Sequence, residues 1–357
     1  MTALAERPAA APPDDENTHG GTWRALIRGA SFRNASALYI WVAIVVLFAI
    51  WVPDTFLNAS TWKSLLDTQV ITAMVAVGLC FPLAAGVFDL SIGLSVGMGS
   101  MVAAVLLVRA DLSIPLAIVT SLLVGVAIGL TNGLIVTVLK VDSFITTLGV
   151  QSVLIALVTW ISGGVQILGL PAGFQEMAAG QLLGVTYPVW MLLGISLLAW
   201  YVLERTPLGR RFYATGGNIE ATRLAGVRTG ALVVAALVIS AVVASFAGVI
   251  VAARLGTGDP SIGPEYLLPA FSAAFLGSTQ FRSGRFNVWG TVVSVYVLAT
   301  GVKGLQLAGA PVWLPYLFNG LVLVAAVALS KVRARREATG GTGTPPRWPW
   351  LRRRPAR

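Results

Sequence analysis

Ionisable side chains are scarce inside this 357-residue chain, so the few present mark where chemistry is possible. The clearest is Asp89, in the run AAGVFDLSIGLSVGMGS. Gly86, Gly93, Gly97 and Gly99 surround it, and Pro82 lies one turn ahead of Gly86. Gly and Pro at this density weaken a helix. Broken backbone in a membrane is tolerated only against protein or a watery cavity, and a carboxylate there is a functional candidate by default. Two compatible readings follow: Asp89, with Ser91 two residues on, caps the next helix, or it lines a pathway.

Other polar groups stand near the ends of apolar runs. Asn132 lies between Gly129 and Gly133, a small-residue spacing that signals close helix packing, and its expected partner is a neighbouring helix. Phe144 and Thr146 follow Asp142 and Ser143, either of which can cap the helix they open. Asp89, Ser91, Asn132, Phe144 and Thr146 are the candidate pathway residues. Asp259 and Glu265 fall in a Gly- and Pro-rich loop and read as solvated charges or contacts to an external partner.

The densest set of charges is a polar island, Glu204 to Gly230, with five arginines and two glutamates. Its centre carries a short helix signal. Asn218 caps, Glu220 sits in the first turn, Arg223 in the last, and Gly226 just past the end. A helix this short is marginal alone in water, so a second protein is expected to receive it; the alternative is a solvated loop.

Several chemistries are excluded. There is no GxxxxGK[ST] phosphate loop. The single His, His19, lies in the N-terminal tail, so no Ser/His/Asp or Cys/His set exists and no His–carboxylate relay crosses the chain. One Cys, Cys80 in an apolar run, allows no disulfide framework and argues against a metal site. Neither enzymatic activity nor a cofactor is expected.

The elements that position these residues are apolar. The chain is 56% hydrophobic and 11% charged, with a mean hydropathy of +0.80, against about 25% charged in a soluble domain. Its solvent is lipid. Runs near the length of about 20 residues that crosses a bilayer lie at about 38–52, 65–86, 90–108, 115–138, 144–162, 188–203, 231–253, 266–279, 287–302 and 313–330. The expected fold is all-α and polytopic, with about ten transmembrane helices and one discontinuous Gly-rich segment. Residues 1–37 read as a disordered tail without a secretory signal pattern, 38–330 as the membrane domain, and 331–357 as a basic tail. Residues 23–33 are basic and mildly amphipathic, suiting a membrane surface or a juxtamembrane anchor.

Charge placement sets the orientation. With ten spans and a cytoplasmic N-terminus, all but four of the 25 Lys and Arg residues fall inside, the exceptions being Lys63, Arg109, Arg254 and Lys303. Both tails and the island share that side. The net charge of +10 is thus a topology signal with some attraction to lipid headgroups, rather than a nucleic-acid surface.

Taken together, these stretches resemble permease subunits of bacterial ABC importers, in the ribose/monosaccharide group that also includes branched-chain amino-acid permeases. The coupling-loop pattern GR-x-x-YA-x-GGN-x-EAAR-x-x-G stands here as Gly209-Arg210, Tyr213-Ala214, Gly216-Gly217-Asn218, Glu220-Ala221-Thr222-Arg223 and Gly226. Gly86–Gly93 is similar to GG-I-D-L-S-V-G, Phe144–Gly149 to PFIATLG, and Leu276–Gly290 to LGG-x-S-x-x-GG-x-G-x-x-x-G. Val87, Val141-Asp142-Ser143, Thr222, Arg282 and Phe286 depart from those patterns.

The resemblance covers roughly 50–330 and implies alternating access. Gly217, Asn218, Glu220, Ala221, Arg223, Leu224 and Gly226 would couple to a separate ATPase subunit. A second permease copy would complete the pathway, and an extracytoplasmic solute-binding protein would deliver the solute. Near-absence of fixed charge in the spans fits a neutral sugar better than an amino-acid zwitterion. A nucleoside or branched-chain amino-acid permease is the alternative. A secondary transporter is a further one, although it wants ion ligands in the spans and usually an internal repeat.

Overall fold

The computed structural model describes residues 36–280 and 284–338. The N-terminal tail through residue 35, including the amphipathic stretch, lies outside the described residues, as do 281–283 with Arg282 and the tail from 339. The described chain is helical, with four two-residue strands.

The elements run α1 (Ser36–Trp51), α2 (Pro53–Phe56), α3 (Ala59–Thr68), α4 (Val70–Ala84), α5 (Ile92–Val108), α6 (Ile114–Thr137) and α7 (Ser143–Ser162). There follow β1 (Ile167–Leu168), α8 (Ala172–Ala179), β2 (Gln181–Leu182), β3 (Val185–Thr186) and α9 (Tyr187–Trp200), which ends in a π turn at Tyr201–Arg205. The rest are α10 (Pro207–Gly217), α11 (Ile219–Leu224), α12 (Thr229–Leu255), β4 (Thr257–Gly258), α13 (Pro264–Gly277), α14 (Val288–Leu307) and α15 (Leu314–Ala338).

Each expected apolar run coincides with a helix, but the helices are unequal. Five are long and apolar enough to cross a membrane: α6, α7, α9 with its π turn, α12 and α14. The pair α3–α4, bent by 41°, makes a sixth. The span expected at about 65–86 is thus bent at Gln69, and its helical path begins at Ala59.

The eighth expected span is a helix too short to cross the membrane. Helix α13 has 14 residues, about 21 Å at 1.5 Å per residue, against a hydrocarbon core of about 30 Å. The stretch before it is not helical and runs beside α5. Gly258 lies against Ala104, the Ile262 carbonyl against Gly97, and Gly263 against Gly93. A Cβ on Gly93 would sit 2.8 Å from the Gly263 carbonyl oxygen, so only paired glycines let the two backbones cross. Helices α5 and α13 therefore both start inside the bundle, side by side.

Helix α12 is the axis, packed on α4, α5 and α6 and buried along most of its length. Apolar segregation gives no drive between helices in lipid, so close contact must come from small residues. On α6, a Cβ at Gly129 would stand 2.4 Å from the Val238 Cα. The opposite face of α6 leaves Leu116, Leu123 and Leu130 exposed, as a lipid-facing stripe requires.

The connecting segments sort to two ends. At one, β1 pairs antiparallel with β4 (Ile167↔Gly258), Gln166 bonds Asp259 at 2.6 Å, and Asp67 pairs with Arg254 and accepts from Thr186. At the other lie the segment after α4, the start of α7, the polar island and 284–287. These are the two sets that charge placement assigned to opposite sides.

Candidate functional site

The break between α4 and α5 is held by side chains. Gly86 takes φ +80 against Gly216. Asp89 is 0% exposed. Its Oδ1 accepts from the Ser91 N–H at 3.1 Å and the Ser91 hydroxyl at 2.7 Å, and its Oδ2 accepts from the Ser240 hydroxyl of α12 at 2.7 Å. The Asn132 amide donates to Ser91 Oγ at 2.8 Å. The backbone N–H groups of Phe88 and Leu90 donate to Ser143 Oγ and Thr147 Oγ1 at 3.1 and 3.0 Å, both from the start of α7. Buried N–H groups need partners, and here α7 supplies them for Phe88 and Leu90 and Asp89 for Ser91.

Three of the five candidate pathway residues, Asp89, Ser91 and Asn132, thus form one buried network. Its details differ from the expectations. Ser91, not Asp89, occupies the N-cap position of α5, while Asp89 bonds two residues onward as in an Asx turn. Asn132 bonds, as expected, to a neighbouring helix rather than a solute: its partner Ser91 is the N-cap residue of α5. At α7 the cap is Asp142, which accepts from Phe144 N and Ile145 N at 2.9 and 3.4 Å. The other two candidates stand apart. Phe144 is 51% exposed, and the buried Thr146 hydroxyl has no partner among the described residues. Ser240 and Thr147 were missed; the only signal is a hydroxyl inside an apolar run, which in lipid must find a partner.

The polar island folds as two helices where one was expected. Thr206 caps α10 and Pro207 opens it, the position where a missing N–H costs nothing. Its apolar side buries Phe212, edge-on to Phe81 of α4 at 6.0 Å. Tyr213 donates its phenol to the Phe286 carbonyl at 2.5 Å, beneath the Arg285 guanidinium 4.4 Å from the ring.

Helix α11 begins as read. Asn218 accepts from Ala221 N at 2.9 Å, and Gly226 takes φ +81 beyond the end. Thr222, a departure from the family pattern, ties α11 back to α10 by donating to the Ala214 carbonyl at 2.8 Å. The outer face is free: Leu224 is 83% and Ile219 48% exposed. Beside them, Glu220 and Arg223 make an exposed ion pair at 2.7 Å, of little worth to stability. Gly217 and Ala221 belong to the same exposed tip. A docked helix with apolar side chains at its tip, rimmed by charge, has the make-up of a partner-binding surface.

A row of aromatic rings joins the two regions. Phe286 meets Phe275 edge-on at 5.4 Å, Phe275 stacks on Phe271 at 6.4 Å, and Phe271 stacks on Phe88 at 6.5 Å, next to Asp89. The network, the row and the island thus form one connected body.

The family model described as branched-chain amino acid transport system / permease component matches residues 63–327. The chain belongs to this permease family. The permease is 29% identical to the L-arabinose ABC transporter permease protein AraH of Azospirillum brasilense over 314 residues, 88% of this chain and 90% of the relative. It is 31% identical to the ribose import permease protein RbsC of Haemophilus influenzae over 302 residues, 83% of this chain and 91% of the relative. It is also 31% identical to the autoinducer 2 import system permease protein LsrC of Salmonella typhi over 294 residues, 82% of this chain and 84% of the relative. No solved structure matches it. The permease is thus a multi-pass membrane protein of the cell membrane, similar to transport permeases rather than to enzymes.

Proposed function

We propose that this chain is the membrane subunit of an ATP-driven importer and passes a neutral monosaccharide by alternating access. The observation that carries the coupling half is the exposed tip of α11, presented by α10 and tied through Tyr213 to the segment that opens α14. A separate ATPase subunit seats on Ile219, Glu220, Arg223 and Leu224, and its closure moves the island as a lever. The sugar half is supported by the names of the relatives, two of which specify arabinose and ribose. Ten crossings, cytoplasmic termini, a second permease copy and a solute-binding protein at the β1–β4 end complete the reading. Charge placement supports it, because the basic island and Arg285 share one end of the bundle.

The test is uptake of labelled D-ribose and L-arabinose by cells carrying the assembled importer. Wild type is expected to accumulate at least one of them. Glu220→Ala with Arg223→Ala should abolish uptake while the chain stays in the membrane at its normal level. Full transport by that double variant removes the coupling assignment, and uptake of branched-chain amino acids alone removes the sugar.

A further inference from the structure

At the end of the bundle away from the island, beneath the bend at Gln69, lies a cavity of about 220 Å³ between α4, α13, α14 and α15. Six polar side chains line it: Thr68, Gln69, Thr72, Glu265, Tyr266 and Asn319. Leu298 and Val302 supply an apolar wall. The space equals roughly seven waters at about 30 Å³ each, which suits one small polar solute.

The position follows from the two irregular elements of the fold. The bend between α3 and α4 opens the space, and the extended stretch before α13 delivers Glu265 into it. Glu265 was expected in a loop; it stands instead in the first turn of α13, exposed at the mouth of the cavity. An ionised group at such a place must meet water or a hydrogen-bonding ligand, not lipid. No Lys or Arg lines the cavity. Gln69, Thr72 and Asn319 make no side-chain hydrogen bond to the protein among the described residues, so their donors and acceptors are unspent.

This set discriminates by charge. A phosphorylated solute brings an anion to a carboxylate with no cation to offset it. An amino-acid zwitterion pairs its ammonium with Glu265 but leaves its own carboxylate with no cation in the lining. A neutral polyol donates hydroxyls to Glu265 in strong charge-assisted bonds, finds both donors and acceptors on the two amides, and lays its C–H face on Leu298 and Val302.

We infer that this cavity is the permease's own solute site, that it takes a neutral polyhydroxylated molecule of monosaccharide size, and that Glu265 is its anchoring acceptor. The inference rests on the monosaccharide reading and adds to it a place and a set of contacts. The path from this site to the island is short. Helix α13 begins at the cavity, carries Phe271 and Phe275 of the aromatic row, and ends at Gly277 against Gly290.

The experiment is equilibrium binding of tritiated D-ribose, L-arabinose and L-leucine to the full chain in lipid nanodiscs. Glu265→Gln keeps the shape and removes the charge; Asn319→Leu tests the opposite wall should the first variant fold poorly. The expected result is saturable binding of at least one sugar, no binding of leucine, and affinity at least about tenfold weaker in both variants. Sugar binding unchanged in both variants overturns the site while leaving the sugar reading intact. Binding of leucine in place of sugar overturns both. Absence of sugar binding to wild type, with uptake by the assembled importer preserved, shows that the chain has no resident site and overturns the inference alone.

Discussion

The Tyr213 phenol donates a 2.5 Å hydrogen bond to the Phe286 carbonyl, and through it the polar island grips the chain just ahead of α14. Phe286 itself begins the aromatic row that ends at Phe88, beside Asp89. Contacts therefore run from the island to the broken segment, and this is the route we propose for a push on α11.

Tyr213→Phe removes this hydrogen bond and keeps the ring under Arg285. One such bond is worth about 1 kcal/mol, or roughly fivefold in a coupling equilibrium. Sugar moved per ATP hydrolysed by the assembled importer is expected to fall by about that factor, with the chain's thermal unfolding little changed. Unaltered stoichiometry would show that force does not pass through this contact.

Asp89→Ala strips the acceptor from the Ser91 N–H, the Ser91 hydroxyl and the Ser240 hydroxyl. Stranding buried donors costs about 1–3 kcal/mol each, so thermal unfolding in detergent should shift down strongly. Ser240→Ala loses one bond and should cost about 1 kcal/mol, and Asp89→Asn should recover most of the loss. Equal stability of Asp89→Ala and wild type would mean the network does not hold the break.

Gly129→Ala and Gly149→Ala form a matched pair. A Cβ at Gly129 meets the Val238 backbone at 2.4 Å, whereas at Gly149 nothing lies within 4 Å. The first should cost about 1–3 kcal/mol by overpacking; the second, in an open helical position, should be neutral or slightly stabilising. Equal melting of the two variants would contradict the close α6–α12 contact.

Asp259 supplies a pH dependence. The Ser261 hydroxyl, with the Ser261 N–H and Gln166, holds its carboxyl below the usual range against a smaller opposing effect of burial. A depressed folded pKa adds stability above the unfolded pKa, and that stability is lost as pH falls through the folded value. The unfolding difference between wild type and Asp259→Asn should therefore be present near neutrality and vanish in acid. A difference that grows in acid would reverse the sign of this account.

Much of the fold was legible because lipid leaves few options: apolar runs become helices, and charge marks one end. The island's short helix was legible because Asn218, Glu220, Arg223 and Gly226 are local signals of where a helix starts and stops. Helix α10 was not, since its Thr, Gly and Pro content is weak for a helix and its stability comes from docking Phe212 on Phe81. The approach to α13 was hidden because hydropathy reports composition, not direction; only the Gly93–Gly263 crossing reveals where the chain turns. Ser240 was hidden for a similar reason. A lone hydroxyl in an apolar run tells that a partner exists, and only packing tells that it is Asp89.

Leu224→Asp bears on the partner surface. The side chain is 83% exposed, so the chain's own stability should move by less than about 0.5 kcal/mol, while binding of the ATPase subunit should weaken by at least about tenfold, as for an apolar anchor. Normal association would place the contact elsewhere.

The central claim is that this polypeptide forms a conduit whose work is supplied through the island by another subunit. The direct measurement is accumulation of tritiated monosaccharide in proteoliposomes holding the purified chain, with and without the ATPase subunit, binding protein and ATP. The account predicts concentrative uptake only with all of them present, lost in Glu220→Ala/Arg223→Ala. Concentrative uptake by the lone chain under an ion gradient would contradict it.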